Sequence, residues 1–296
     1  MEQRIEIRPA RDEDRKAVFA FCEHTWEWGD YIPNVWDNWL HDPQGELLVA
    51  TSGGVPIAIG HMRMLNTSDA WLEGLRVDPA HRLHGVGTAL NMALQEAALR
   101  HGATTVRLVT ESTNTGSLRI MPHVHMHQVG GFVPFRAEPL LREPGRRDQY
   151  ERTEIATPAD LDDIINYLNA SNVFPANGGL YYAGFTGYTI SDTLLEEHIN
   201  ARHVYLLRRW ERLDGLAIAE PRQEHDGLRL SVGYLDGMTI ESISLIAHDL
   251  RRRAAELEVS LVYVYAPDLV LVRDGLTGIG YEWGGTVFYT FERGLV

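Results

Sequence analysis

Apolar and polar residues alternate with period two at Ile5-Glu6-Ile7-Arg8-Pro9-Ala10, which predicts a strand. Asp12-Glu13-Asp14 then opens a run with Val18, Phe19 and Cys22 at helical spacing, and acids in a first turn suit the helix dipole. The same opening returns downstream, where Thr153 to Pro158 leads into Asp160-Leu161-Asp162-Asp163 and the apolar Ile164, Ile165 and Leu168. Each half continues with two strands about a turn. These are Leu47 to Thr51 and Pro56 to Gly60 around Gly53-Gly54, then Val204 to Arg208 and Leu216 to Ala219 around Asp214-Gly215. A third strand, a long helix, an apolar strand (Thr105 to Thr110; Ser260 to Tyr265) and a Gly-aromatic ending (Gly131-Phe132; Gly280-Tyr281) follow in the same order. The pattern predicts an α/β chain arranged as a tandem repeat.

Between the halves, Arg136 to Tyr150 is rich in Pro, Gly, Arg and Glu and has no apolar periodicity, so it reads as a linker. The expected domains are residues 1–145 and 146–296. The 296 residues are 44% hydrophobic, ample for a buried core in each half. A net charge of -14 disfavours nonspecific attraction to nucleic acid or an anionic membrane, and the run Arg251-Arg252-Arg253 shares its helix with Glu256 and Glu258. The charge is uneven: residues 1–150 hold 15 basic and 19 acidic side chains, residues 151–296 hold 12 and 22. An anionic cofactor is therefore expected in the first half. The single cysteine, Cys22, excludes an intrachain disulfide and a cysteine-rich zinc site. Met1 to Arg15 is charged with no apolar signal core, and no stretch approaches the roughly 20 apolar residues of a membrane helix. A cytoplasmic protein is expected, with its oligomeric state open.

The sharpest local feature is Glu73-Gly74-Leu75-Arg76-Val77-Asp78-Pro79, followed by Arg82-Leu83-His84-Gly85-Val86-Gly87-Thr88. Val86, Leu90, Ala93, Leu94 and Ala97 then keep helical spacing, which places the glycines at a helix N-terminus. Unpaired amides there, with no side chains on Gly85 and Gly87, could close on a pyrophosphate. Thr88 could add a hydroxyl contact and Arg82 a charge-assisted one. The spacing fits neither the three-glycine dinucleotide fingerprint nor a Walker loop.

This run, Arg82-x-x-Gly85-x-Gly87 after a strand ending Val77-Asp78-Pro79, resembles the pyrophosphate motif of the GNAT superfamily of acyl-CoA-dependent N-acyltransferases. The resemblance covers residues 4 to about 135. It implies a mixed-sheet GNAT fold, two such domains in tandem, and acetyl-CoA as acyl donor. It also implies that Leu75, Arg76 and Val77 pair with the pantetheine arm, and that the amides of Leu83 to Thr88, including His84 and Val86, hold the pyrophosphate. Asn114 matches an asparagine that commonly contacts pantetheine; as a turn residue it has an equally good local role. In the second half, Ser231 to Gly237 leads to a helix near Ile240 without the motif, and Asp236 would repel a phosphate, so residues 146–296 read as a degenerate copy.

Acyl transfer to an amine needs a neutral nitrogen, hence a proton acceptor. In a regular strand Trp71, Glu73, Leu75 and Val77 share one face. The resemblance implies a base at Glu73, with Glu111 the alternative. The family's usual tyrosine acid stands five residues before the phenylalanine of the Gly-Phe ending, a slot held here by His127. The missing tyrosine also admits a non-catalytic acyl-CoA sensor. His123, His125 and His127 alternate, but no cysteine or neighbouring carboxylate completes a ligand set, so no metal is expected. Trp26, Trp28, Tyr31, Trp36 and Trp39, with Glu27 and Asp30 among them, would either wall a small amine acceptor site or pack as core. Gly178-Gly179-Leu180-Tyr181-Tyr182 would line a facing wall or form a packed loop.

Overall fold

The structure, a computed structural model, describes residues 5–27, 29–141, 152–224 and 227–296. Packing divides the chain into one unit of residues 1–128 with Phe291–Val296, and a second of Val129–Thr290.

The first unit contains β1 (Ile5–Pro9), α1 (Arg15–Cys22), α2 (Ile32–Leu40), β2 (Gly45–Ser52), β3 (Val55–Met64), β4 (Asp69–Val77), α3 (Val86–Arg100), β5 (Thr105–Glu111) and α4 (Thr115–Ile120). Its strands run in the order β1-β2-β3-β4-β5, antiparallel except for the parallel β4–β5 pair. The parallel step follows from the helical crossover α3, which an antiparallel neighbour would not need. Val18, Cys22, Ile32, Trp36 and Trp39 of α1 and α2 pack on Leu47, Val49 and Ile59 of the sheet. Trp36 is thus core, and burial pushes the Cys22 thiol up to about 12, so it is inert at neutral pH.

β6 (His127–Ala137) begins the second unit's sheet, where Val133–Ala137 pair antiparallel with Val262–Ala266. The unit continues with β7 (Glu154–Ile155), α5 (Leu161–Ala170), α6 (Val173–Ala176), β8 (Leu180–Ala183), β9 (Thr186–Thr189), α7 (Asp192–Asn200), β10 (Val204–Arg209) and β11 (Arg212–Glu224). Then come β12 (Gly227–Gly237), α8 (Ile240–Glu256), β13 (Leu261–Ala266), α9 (Val270–Thr277) and β14 (Glu282–Trp283), and β15 (Phe288–Gly294) starts in this unit and ends in the first. β12 and β13 are parallel neighbours across α8, repeating the β4–α3–β5 crossover.

The repeat extends to local chemistry. Each half enters its first helix through a 3-10 turn whose third residue is an aspartate that accepts from the amide ahead of the turn. These bonds are Arg11 N to Asp14 Oδ2 and Thr157 N to Asp160 Oδ2, both 2.8 Å. Asp14 is also a bidentate partner of Arg8, at 2.7 and 2.8 Å, so it is a buried ion-pair residue more than a dipole acid.

Two expectations shift. The division by packing falls after Gln128, ahead of the composition-based boundary at 145/146, because β6 hydrogen-bonds to β13. Arg136 and Ala137 are strand residues for the same reason, and Arg146, near which the boundary was expected, lies outside the described residues. The second hairpin turns at Trp210-Glu211, whose φ of 52° and 61° make a left-handed pair, while Asp214-Gly215 lie inside β11. The C-terminal residues return to the first unit. Arg293 donates to Gln95 Oε1 at 2.7 Å, Glu292 accepts from Arg107 at 2.6 Å, and Leu295 N donates to Thr104 O at 2.8 Å.

In the second unit, Asp249 of α8 is fully buried and accepts from the Thr153 amide and hydroxyl, Arg152, Arg252 and Arg253. Burial alone would raise its pKa; the Thr153 hydroxyl and amide and the Arg253 charge overcome that and hold it below the usual carboxylate range. Arg252 and Arg253 are committed to this network, and Arg251 donates to the carbonyls of Glu138 and Ile279. A depressed folded-state pKa stabilises above the unfolded value, about 3.9, and the gain disappears as pH falls through the folded value. Asp249→Asn is therefore expected to cost about 3 kcal/mol at neutral pH. Urea unfolding across pH should show the gap between variant and wild type closing as acid protonates Asp249.

Candidate active site

β4 is the element on which the predicted residues meet. His61 pairs with Glu73 and Ile59 with Arg76, so Gly74 and Leu75 bulge opposite Gly60. Gly74 sits at φ +68°, and a Cβ there would lie 2.5 Å from the Trp39 ring. The bulge corrects the expected single face of Trp71, Glu73, Leu75 and Val77. Glu73 and Arg76 face α2, whereas Leu75 turns towards α3, beside Leu90 and Leu94.

Glu73 is one-fifth exposed, and its Oε1 accepts from His61 Nδ1 and Arg63 Nε, both at 3.1 Å. His61 is fully buried and stacks on Trp39, with ring centroids 4.6 Å apart. Its Nε2 lies 3.3 Å from Asp42 Oδ2, out of line for a hydrogen bond. The imidazole thus stands between two carboxylates. The sequence reading missed His61, Arg63 and Asp42, although His61 and Arg63 share the period-two face of β3 with Ile57 and Ile59. Pairing them with Glu73 required the register of β3 on β4.

The Arg76 side chain is engaged within the chain. Its Nε donates to Asp30 Oδ2 at 2.8 Å, NH1 donates to the Leu75 carbonyl, and the guanidinium lies over Trp26 and Tyr31. Asp30 is consequently neutralised within the chain. Tyr31 stacks on Trp26 and meets Trp39 edge-on. Burial, opposed by Arg76, holds its phenol above the usual value. Glu27 is exposed, and Trp28 lies outside the described residues.

The β4–β5 ladder covers Asp69–Thr105 to Trp71–Arg107, and beyond Trp71 β4 pairs with β3 as far as Val77. That stretch is followed by a tight loop in which Asp78 Oδ1 accepts from Ala80 N at 2.9 Å and Arg82 Nε donates to Val77 O at 3.1 Å. Leu83 at φ 65° and Gly85 at φ 76° take left-handed conformations, and Leu83 and His84 are exposed. Gly85 is the N-cap of α3 and offers no side-chain acceptor. The first helical bond there is Ala89 N to Gly85 O, so Val86, Gly87 and Thr88 amides lack intrahelical acceptors, and the first turn holds no acid. A Cβ on Gly87 would come 2.9 Å from Ile120 Cδ1 of α4, which explains a glycine inside the first turn. The arrangement can receive an anion of small cross-section.

The other predicted residues are placed differently. Asn114 caps α4 through Ser117 N at 3.1 Å and is exposed. Glu111 ends β5 and accepts from Thr113. His127 is exposed at the start of β6; His123 is in a 3-10 turn and His125 is left-handed, so the three histidines share no strand face. Tyr181 and Tyr182 are buried core residues of the second unit. At α8, the second copy of the crossover helix, Thr239 Oγ1 caps Ser242 N and Glu241 occupies the first turn. Asp236 is buried, accepting from Ser171, Tyr234 and Tyr167, and burial raises its pKa. This end therefore carries a side-chain cap and a first-turn acid, both of which α3 lacks.

Residues 15–124 match the family model described as the acetyltransferase (GNAT) family. "Probable N-acetyltransferase 16" of Homo sapiens is 27% identical over 141 residues, 47% of this chain and 38% of the human protein. "Probable N-acetyltransferase HLS1" of Arabidopsis thaliana is 26% identical over 156 residues, 46% of this chain and 38% of the plant protein. The chain thus matches well under half the length of these curated relatives. A GCN5-related N-acetyltransferase from Sphaerobacter thermophilus superposes with a TM-score of 0.59 at 12% identity, over 98% of this chain and 95% of that one. A tandem GNAT protein from the clavulanic acid biosynthesis pathway does so with a TM-score of 0.50 at 15% identity, over 98% of each. At these identities the likeness is one of fold, and it extends over both halves.

Gly74→Ala should destabilise the first unit by about 2 kcal/mol or more, from left-handed strain plus the clash with Trp39. Chemical denaturation followed by tryptophan fluorescence measures it. A loss below 0.5 kcal/mol, roughly the scale of neutral surface changes, would contradict the bulge.

Proposed function

We propose that the chain, whose residues 15–124 match the acetyltransferase (GNAT) family, transfers an acetyl group from acetyl-CoA to the primary amine of a small molecule. The observation that carries this reading is the N-terminus of α3, where the Val86, Gly87 and Thr88 amides meet no side-chain cap and no acid, behind a left-handed Gly85. Those amides suit a pyrophosphate, and the dipole of α3 adds favourable potential. The backbone of Leu75 to Val77, unladdered on the β5 side, suits a pantetheine amide chain. Arg82 closes the loop and leaves its terminal nitrogens for phosphate, with Leu83 and His84 amides beside it. Asn114 stands at the head of α4, within this reading a second contact for the arm.

Acetyl-CoA supplies an activated thioester. Glu73 supplies the base: His61 and Arg63 both engage Oε1, which fixes the carboxylate and leaves Oε2 to take the proton lost by the amine as its N–C bond forms. His127, in the slot of the family's usual tyrosine, is the acid for the departing thiolate in this reading. Trp26 and Tyr31, with Arg76 held over them, form an aromatic border whose carboxylate is already paired. A neutral or weakly charged amine fits such a border better than a dication. The second unit, with α8 self-capped and Asp236 beneath it, acts as a degenerate copy that binds no CoA.

Calorimetry should give one CoA per chain, and Gly85→Val, strained at φ 76°, should weaken CoA binding at least tenfold in a folded protein. Two equivalent CoA sites, or unchanged affinity in the variant, would reject the assigned loop. Thiol release across an amine panel tests turnover; binding with no acceptor-dependent release would make the chain an acyl-CoA sensor. Glu73→Gln should lower the rate by roughly 10²–10⁴-fold at neutral pH while sparing CoA affinity. Partial recovery at high pH, where free amine is abundant, is expected; a wild-type profile would move the role to Glu111.

A further inference from the structure

The second unit carries a side-chain cluster that the acyl-transfer reading leaves unused. α7 ends in a left-handed Arg202, φ 62°, with His203 N donating to His198 O at 2.8 Å and Arg202 N to Ile199 O at 2.9 Å. This paired 6→1 and 5→2 closure returns the chain on itself and brings the rings of His198 and His203 to a 5.7 Å centroid separation. Ala219 N donates to His203 O at 2.9 Å, which locks the turn to β11 one residue before Glu220. His203 Nδ1 then lies 3.7 Å from Glu220 Oε2.

We propose that His198, His203 and Glu220 bind one divalent transition-metal ion, zinc by ligand type, with a fourth position left for water. One ligand atom from each residue lies within 4.8 Å of the others. Tetrahedral zinc takes nitrogen and oxygen ligands at about 2.0–2.1 Å, so small side-chain rotations close the set. His198 Nδ1 is buried and has no hydrogen-bond partner, a cost that coordination would remove. Glu220 is oriented from its other oxygen. Tyr181 donates to Oε1 at 2.9 Å and Arg222 at 3.3 Å, which turns Oε2 towards His203. The two histidines and Glu220 are each partly exposed, so an ion has a route in.

The test uses the tag-free full chain, stripped with a chelator and titrated with zinc and, separately, cobalt. One ion per chain is expected by calorimetry, with the visible d–d absorption of four- or five-coordinate cobalt. His198→Ala and Glu220→Gln, each checked for native circular dichroism, should lose that spectrum. Tyr181→Phe, which keeps the ring and removes only the donor to Glu220, should weaken binding roughly 10–100-fold. No stoichiometric binding by the wild type, or binding that survives all three substitutions, overturns the site. CoA binding at α3 should be unchanged in each variant, so the acyl-transfer reading stands or falls separately.

Discussion

One left-handed glycine organises the first unit. Gly74 inserts an extra residue into β4 and gives up the side chain that would strike Trp39, so α2 can lie close against the strand. The same bulge turns Glu73 and Arg76 to the α2 face and Leu75 to the α3 face. Glu73 can then meet His61 and Arg63 on β3, while Arg76 reaches Asp30. Without the extra residue, the period-two alternation of a strand would place Leu75 beside Glu73 and send Arg76 to the opposite side.

A second constraint is the departure of β4 from β5 after Trp71. A strand that keeps only one ladder partner presents backbone groups on its other edge, and those must be satisfied by water or ligand. The α3 amides behind Gly85 are in the same condition. Between the two lies the loop that Arg82 and the left-handed Leu83 and Gly85 fold back on Val77. In the second unit the equivalent helix has a side-chain cap, Thr239, on the Ser242 amide, and a buried aspartate lies at the end of β12.

The aromatic residues after α1 divide in a way composition does not reveal. Trp36 and Trp39 bury against β2 and β3, while Trp26 and Tyr31 stack with Arg76. Asp30 is spent on the same arginine. The region is therefore a packed wall bordering Glu73, with its charges balanced internally. His198, His203 and Glu220 make a comparable case in the second unit, where a helix ending and a strand register assemble three potential ligands from separated positions.

Local pattern was enough for the shared order of opening strand and helix, hairpin, third strand, long helix and apolar strand in each half, the glycine loop at the start of α3 and the hairpin at Gly53-Gly54, because each depends on residues near one another in sequence; it did not reveal α2, α4, α6, α7, α9 or the β8–β9 pair. Arg82-x-x-Gly85-x-Gly87 was readable since left-handed turns and close helix approaches demand glycine at fixed offsets. The tertiary structure alone decided which side chains share a face past Gly74, that His61 and Arg63 hold Glu73, that Arg76 consumes Asp30, and that β6 joins β13 ahead of the compositional linker. It also decided that the last residues, through Arg293 and Glu292, complete the first unit. These depend on strand register and on partners dozens to nearly two hundred residues apart. A one-residue bulge reverses a face without leaving any mark in hydrophobic periodicity beyond a single glycine.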